Sequence, residues 1–555
     1  MMQRVLHITV LLLLSLAVAT AQQRMVTPEV RAAMQALSVD TLLRHAAWLA
    51  DDVRQGRGTG SEGTRAAAQY LAAQLERLGV VPAMDADGYH QTFPLHGSMP
   101  LEESRLLLHT PDGEEELRLW DDYLLYKTGA QTFIPRPVRL MFVGYGIIAP
   151  EYDYNDYQNI DVTDAIVVYL SGEPLSADAD YFEGPTSTVY SIPEMKQRIA
   201  FSRGARGSIM LPLPRVDRGY TWENWKRIFS FEDVTLPITV PSHLSALMSL
   251  EAAVRLFDGA DWSLADVLEM DERNRIRSFP LYMELSFAGS FRERDFLTSN
   301  VIGMLPGSDP LLQDSWVIVS AHYDHLGIGP PMQGDSIYNG FVDNALGCAA
   351  LLEFARIFSH EKWRPKRSIL FLFTAAEEKG LLGSQYYCAH PVAPLYKTIA
   401  NLNVDGLAIL DEFDDVIGVG AEYSTLHMHL QRLAGELDLR VSALPPDFTL
   451  LDAFAASDQI SFAQAGIPSI LVMEGNAYRH LGSAEGYRRF IAWGRERYHT
   501  PFDDAGQPVH RAALLQHTRI LTAFLAGLAN TFEPPQWLRG SRYINARLQS
   551  LAEER

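Results

Sequence analysis

Cysteine is nearly absent from this chain of 555 residues. Two thiols, Cys348 and Cys388, cannot make a disulfide framework or a four-thiolate metal cluster. Both fall in apolar helical patterns and read as buried free thiols, with one bridge open if their helices are neighbours. Positive charge is also scarce, since 47 Lys and Arg face 68 Asp and Glu, for a formal net charge of −21. Such a surface repels phosphate backbones and anionic lipid, so nucleic acid is a poor partner. Long apolar runs are confined to the start of the chain. Met1 to Ala21 carries one charge at Arg4, an apolar stretch from Val10 to Val18, and the small-residue end Ala19-Thr20-Ala21. That is the layout of a secretory signal cut before Gln22. No Cys follows it to take a lipid, and no later run is expected to cross a bilayer. The expectation is an exported, soluble chain, periplasmic or extracellular, with no membrane contact after cleavage and an oligomeric state left open.

The composition is otherwise that of a folded protein. A hydrophobic fraction of 47% supports a sizeable core, and charged residues of both signs at 21% argue against disorder. The length exceeds what one core usually organises, which predicts at least two domains. Apolar residues at helical spacing run over Val39 to Leu49 and Gly63 to Leu78, with a turn-rich loop from Arg54 to Glu62 between them. From about 101 to 290 the texture is short apolar or alternating runs (Leu106 to Leu108, Leu117 to Leu119, Val138 to Val143, Ala165 to Leu170), which predicts a β-rich insert. Beyond it, buried strands at Trp316 to Ala321 and Ser368 to Phe373 flank a helix at Ala345 to Phe358. Further strands are expected at Ile399 to Val404, Val416 to Val419 and Ser469 to Met473, and a closing amphipathic helix at Ala512 to Leu528. This is an α/β pattern, a mainly parallel mixed sheet with helices on both faces. The tail from Glu533 shows no core-forming pattern.

Chemistry-bearing residues sit where those strands end. The first strand runs into His322-Tyr-Asp324-His325, and ligands gather at the carboxyl ends of strands in open α/β sheets. His322 and Asp324 share a side of the strand, which suits an imidazole ligand held by a nearby carboxylate. Asp343, in Gly340-Phe-Val-Asp343-Asn, stands at the start of a helix. It reads either as an ordinary capping Asp or as a carboxylate bridging two cations. Glu377 and Glu378 end the strand that closes at Phe373, and two adjacent buried carboxylates are costly unless a cation neutralises them. One could bind metal while the other takes a proton from water. Asp405 ends a further strand, and His499 lies in Arg497-Tyr-His-Thr-Pro-Phe-Asp503; each also reads as a cap or a surface-loop residue. Two His and three carboxylates form a nitrogen and oxygen donor set that suits borderline divalent cations, zinc first.

These stretches, His322-Tyr-Asp-His-Leu-Gly327, Gly340-Phe-Val-Asp-Asn344, Ala375-Ala-Glu-Glu-Lys-Gly-Leu-Leu-Gly-Ser-Gln385, Asn403-Val-Asp-Gly406 and Tyr498-His-Thr-Pro501, resemble the co-catalytic zinc aminopeptidases. That family includes glutamate carboxypeptidases, glutaminyl cyclases and the inert transferrin receptors. The resemblance implies a zinc exopeptidase fold of the phosphorylase/hydrolase-like kind and two zinc ions per chain acting on peptides. In it Asp343 would bridge the ions, with His322 and Asp405 on one and Glu378 and His499 on the other. Glu377 would be the general base and Asp324 would orient His322. Thr59-Gly-Ser-Glu-Gly63 resembles the family's N-terminal segment. Val143-Gly-Tyr-Gly-Ile147, Ala165 to Pro174 and Arg203-Gly-Ala-Arg-Gly207 resemble a protease-associated (PA) insert. The implied layout is a signal at 1–21, peptidase segments at 22–100 and 291–532 around an insert at 101–290, and a tail at 533–555.

Two departures stand out. Val342 precedes Asp343 where relatives commonly carry a second acid, and Ser457-Asp458-Gln459 replaces a frequent Ser-Asp-His. A carboxypeptidase is the main rival within the family, because Arg479, Arg488 and Arg489 could meet a substrate carboxylate. Glutaminyl cyclase fits less well. A receptor-like binding protein is the rival from outside enzymes, against which stands the retention of all five ligand positions and the base.

Overall fold

A computed structural model describes residues 24–553 apart from 85–87, 126–132, 179, 185–186, 217–219, 238–242, 446–447 and 449. The expected signal, 1–21, lies outside the described residues. Four parallel strands form the centre of a ten-stranded sheet: Ser368–Thr374, Trp316–His322, Thr398–Asn403 and Ser469–Glu474, side by side in that order. They are buried along nearly their whole length, as continuous apolar strands must be when both faces are covered. The two-residue repeat sorts their side chains. Ile369, Phe371 and Phe373 enter a core shared with the helices Val39–Leu49, Glu62–Arg77, Leu346–Phe358 and Arg511–Asn530. Leu370 and Leu372 face a smaller core with Tyr387 and Phe462 on the opposite side. Each such side chain contributes about 1.5–3 kcal/mol by leaving water. The helix Arg511–Asn530 is apolar and long enough to cross a membrane, contrary to the expectation that no later run is, but it is 78% buried inside this core.

Outside this parallel centre the sheet is antiparallel except at one edge, where Arg440–Val441 runs parallel to Asp415–Val419. Phe291–Leu305 pairs antiparallel with Ser368–Thr374 and with His90–Pro100, the latter from Val301 opposite His90 to Phe291 opposite Pro100. That ladder brings positions 100 and 291 together, so the chain between them can leave and return without disturbing the sheet. Strands from Arg105–Thr110 to Phe279–Ala288 build a separate eight-stranded sheet with its own apolar core. One part of this stretch comes back: Asp233–Thr235 pairs with Ser98 to His96 as an edge strand of the larger sheet, just after the helix Trp222–Phe229.

The tail departs from expectation. Trp537 and Tyr543 are buried against Phe454, with Trp537 Nε1 donating to Gly466 O at 2.9 Å, and Ile544–Ala552 is a helix. Two aromatic anchors separated by a turn carry no periodic signal, yet their area suffices to dock the segment. Cys348 and Cys388 are both free, and Cys348 Sγ lies 3.1 Å from His322 O.

Candidate metal centre

Three neighbouring parallel strands deliver their ends to one edge of the sheet. Trp316–His322 ends on His322, Ser368–Thr374 is followed by Glu377 and Glu378, and Thr398–Asn403 by Asp405. Asp343 comes from a distorted turn, Phe341–Ala345, entered through Gly340 at φ +60°. Its carboxylate does not cap the helix that follows. Asn344 does that work: its Oδ1 accepts from Gly347 N at 3.1 Å and Gly406 N at 3.0 Å, and its Nδ2 donates to Val404 O at 2.8 Å. The capping reading of Asp343 is thereby replaced, and its oxygens are left to face the site.

Those two oxygens face opposite ways. Oδ1 lies 3.1 Å from His322 Nε2, which is 3.2 Å from Asp405 Oδ1. Oδ2 lies 3.2 Å from His499 Nε2, which is 3.2 Å from Glu378 Oε2. An oxygen of Glu377 stands within 4.8 Å of the donor atoms of His322 and Asp405. Donor atoms about 2.0 Å from a tetrahedral zinc are about 3.3 Å apart, so each half of the arrangement has the spacing of a ligand set. The donors are nitrogen and oxygen only, a set that suits zinc or a similar borderline ion. His322, Asp405 and one oxygen of Asp343 could hold one ion, and Glu378, His499 and the other oxygen a second.

The electrostatics ask for positive charge. Burial opposes charge on His322, yet Glu377, Asp405 and Asp343 outweigh it and hold its pKa well above the ordinary value. The same holds for His499 beside Glu378 and Asp343. Burial pushes the Glu377 carboxyl well above the usual range against the pull of His322, and the carboxylates of Glu378, Asp405 and Asp458 push it the same way. A site that draws protons this strongly is one where divalent cations offset mutual carboxylate repulsion.

Several residues that brace the centre were not singled out from the sequence. Arg57 is fully buried and donates to Tyr323 O at 2.7 Å, Leu49 O at 2.9 Å, Asn339 O at 2.6 Å and Gly340 O at 2.9 Å. Asp503 accepts from the N–H groups of Val342 and Asp343, each at 3.0 Å. Its position four residues after His499 was the available signal. His325 is buried with Nδ1 at 2.6 Å from Glu378 Oε1. The stretch 101–290 also reaches the site, because Arg227 Nη1 donates to His499 O at 2.7 Å.

Other expectations shift. The Asp324 carboxylate accepts from Thr59 Oγ1 at 3.0 Å and Glu377 N at 3.1 Å, and stands 4.0 Å from His322 Nδ1. It is the Asp324 carbonyl that approaches His322 Nδ1, at 3.2 Å, so the carboxylate fixes the Glu377 turn more directly than the imidazole. Burial lifts the Asp324 carboxyl to about 6. Val342, the departure before Asp343, supplies a buried side chain and donates its N–H to Asp503. Gln459 is buried, accepting from Asn403 Nδ2 and donating to Phe454 O, a structural post. Arg479 pairs with Asp414 and Glu412, and Arg488 and Arg489 both pair with Glu485.

Residues 300–525 match the family described as Peptidase family M28. A probable zinc metalloprotease of Pyrenophora teres f. teres is 39% identical over 137 residues, 24% of this chain and 26% of that one. Aminopeptidase NAALADL1 of Mus musculus is 34% identical over 133 residues, 23% of this chain and 16% of that one. The chain thus spans about a quarter or less of the length of these curated relatives. Among solved structures, the aminopeptidase from Aneurinibacillus sp. strain AM-1 shares the fold, with a TM-score of 0.54 and 18% identity over 91% of this chain and 96% of that one.

Proposed function

We propose that this chain, whose residues 300–525 match peptidase family M28, is an exported two-zinc exopeptidase that removes residues from the amino end of peptides. The observation that carries the reading is Asp343, whose two carboxylate oxygens each meet a separate imidazole at 3.1 and 3.2 Å. His322 and Asp405 complete one zinc site, and Glu378 and His499 the other. Zinc held by these residues would supply a Lewis acid for the scissile carbonyl and a lowered pKa for an attacking water.

The chain's own residues supply the remaining steps. Glu377, buried and within 4.8 Å of the donor atoms of His322 and Asp405, takes the water's proton on a carboxylate oxygen and delivers it to the departing amine. Asp324 keeps Glu377 in place by accepting its backbone N–H at 3.1 Å. Burial of Glu377 and His322 excludes bulk water and strengthens the local field.

The amine-end reading is supported by the acidic surroundings of Glu377, with Glu378, Asp405 and Asp458 near it, which favour a cationic terminus. Engagement of Arg479, Arg488 and Arg489 in surface ion pairs removes the main argument for a substrate carboxylate. The N-terminal stretch Met1 to Ala21 supports export, and the acidic surface supports a soluble mature chain. The layout with a PA-like insert at 101–290 rests on its motif resemblances. Assaying the zinc-loaded mature chain on peptides blocked at one end or the other tests the reading. Cleavage only of peptides with a free amine is expected. Cleavage requiring a free carboxylate would replace it with a carboxypeptidase, and zinc binding without cleavage with a binding protein.

A further inference from the structure

The sequence places His325 one residue beyond Asp324, outside every ligand set considered above. Its ring is completely buried. Nδ1 lies 2.6 Å from Glu378 Oε1 and 3.9 Å from Asp343 Oδ2, while Nε2 has no hydrogen-bond partner. The backbone fixes the ring from two sides. His325 N donates to Arg57 O at 3.3 Å, and a Cβ on Gly340 would stand 2.5 Å from His325 Cγ, so a glycine there leaves the imidazole its room.

The distances distinguish two roles. Donors on one tetrahedral ion are about 3.3 Å apart, and the pairs made by His322 and His499 sit near that value. The contact of 2.6 Å between His325 and Glu378 is far shorter and is the length of a charge-assisted hydrogen bond. We infer that His325 is a positioning residue: it donates from Nδ1 to Oε1 of Glu378 and so leaves Oε2 alone to face His499 and one metal ion. Among the described residues Nε2 has no hydrogen-bond partner, so the bond to Glu378 is the ring's one short polar contact there. The inference rests on the two-zinc reading and adds an asymmetry to it. His325 braces the ion of Glu378 and His499, and does not touch the donor atoms of His322 and Asp405.

Two substitutions of similar size test this. In His325→Asn the side-chain amide nitrogen reaches the place of Nδ1, and in His325→Gln the place of Nε2. Zinc content per chain is measured on wild type and both variants after equilibration with graded chelator, with a melting curve for each. Outer groups that hold ligands typically contribute 10–100-fold in metal affinity. H325N is therefore expected to keep two ions close to the wild-type profile. H325Q should release one ion at about 10–100-fold lower chelator strength and hold the second as wild type does. Equal behaviour of the two variants, or joint loosening of both ions in H325Q, overturns the inference. If H325Q does not fold, H325L, which offers no donor, takes its place with the same expectation. Wild type that never binds two ions would instead refute the two-zinc reading, a result separate from either variant's.

Discussion

Arg57 donates to the carbonyl oxygen of Gly340 at 2.9 Å, and with the same guanidinium to Asn339 and Tyr323, joining two loops that carry His322 and Asp343. Its four hydrogen bonds all go to backbone carbonyls, and none goes to a carboxylate among the described residues. Arg57→Ala takes a donor from four buried carbonyls, of which Gly340 O alone keeps a second one among the described residues, Ala345 N at 3.3 Å, and should cost about 3 kcal/mol. Urea denaturation read by circular dichroism measures that loss, and zinc content should fall with it. A variant as stable as wild type would remove Arg57 from this role.

Glu377→Gln keeps the volume and loses the base. Turnover on a free-amine peptide should drop by about 10²–10⁴-fold while zinc content and melting temperature stay at wild-type levels. Steady-state kinetics paired with metal analysis checks it. Unchanged turnover would contradict the assignment.

His517 sits in the core, accepting from Ala408 N at 3.0 Å and facing Val472 O at 3.0 Å. Burial lowers its pKa to about 4, so between that value and the unfolded value of about 6.5 the unfolded chain binds the extra proton. Its contribution is fully present above pH about 6.5 and is lost as pH falls toward 4. Stability measured at steps across this window should decline on acidification, and less steeply in His517→Gln. Equal slopes would show that other groups carry the dependence.

Trp537→Ala opens a void beside Phe454 and Tyr543 and removes the Nε1 hydrogen bond to Gly466 O. A loss of about 3–5 kcal/mol is expected, as for large aromatic truncations in cores. Were the tail dispensable, thermal unfolding of the variant would match wild type.

Legibility followed range. Buried strands announce themselves by composition, and an acid or imidazole at the end of such a strand is conspicuous, which is how His322, Glu377, Glu378 and Asp405 stood out. The antiparallel outer strands did not, since His90–Pro100 and Phe291–Leu305 find each other across about 190 positions, the first alternating like a surface strand and the second exposed over its first half. Arg57 and Gly340 are 283 positions apart, and a buried arginine in a polar loop resembles a solvated one until its acceptors are known. Asn344 took the capping role from its neighbour because both residue types suit a helix start. His325 lies within a motif, but its role depends on Glu378, 53 positions away.

Diffraction from crystals grown with zinc, collected at the zinc absorption edge, tests the central claim most directly. Two anomalous peaks roughly 3.5–4 Å apart are expected, one beside each carboxylate oxygen of Asp343. A single peak, or peaks removed from Asp343, would contradict the account.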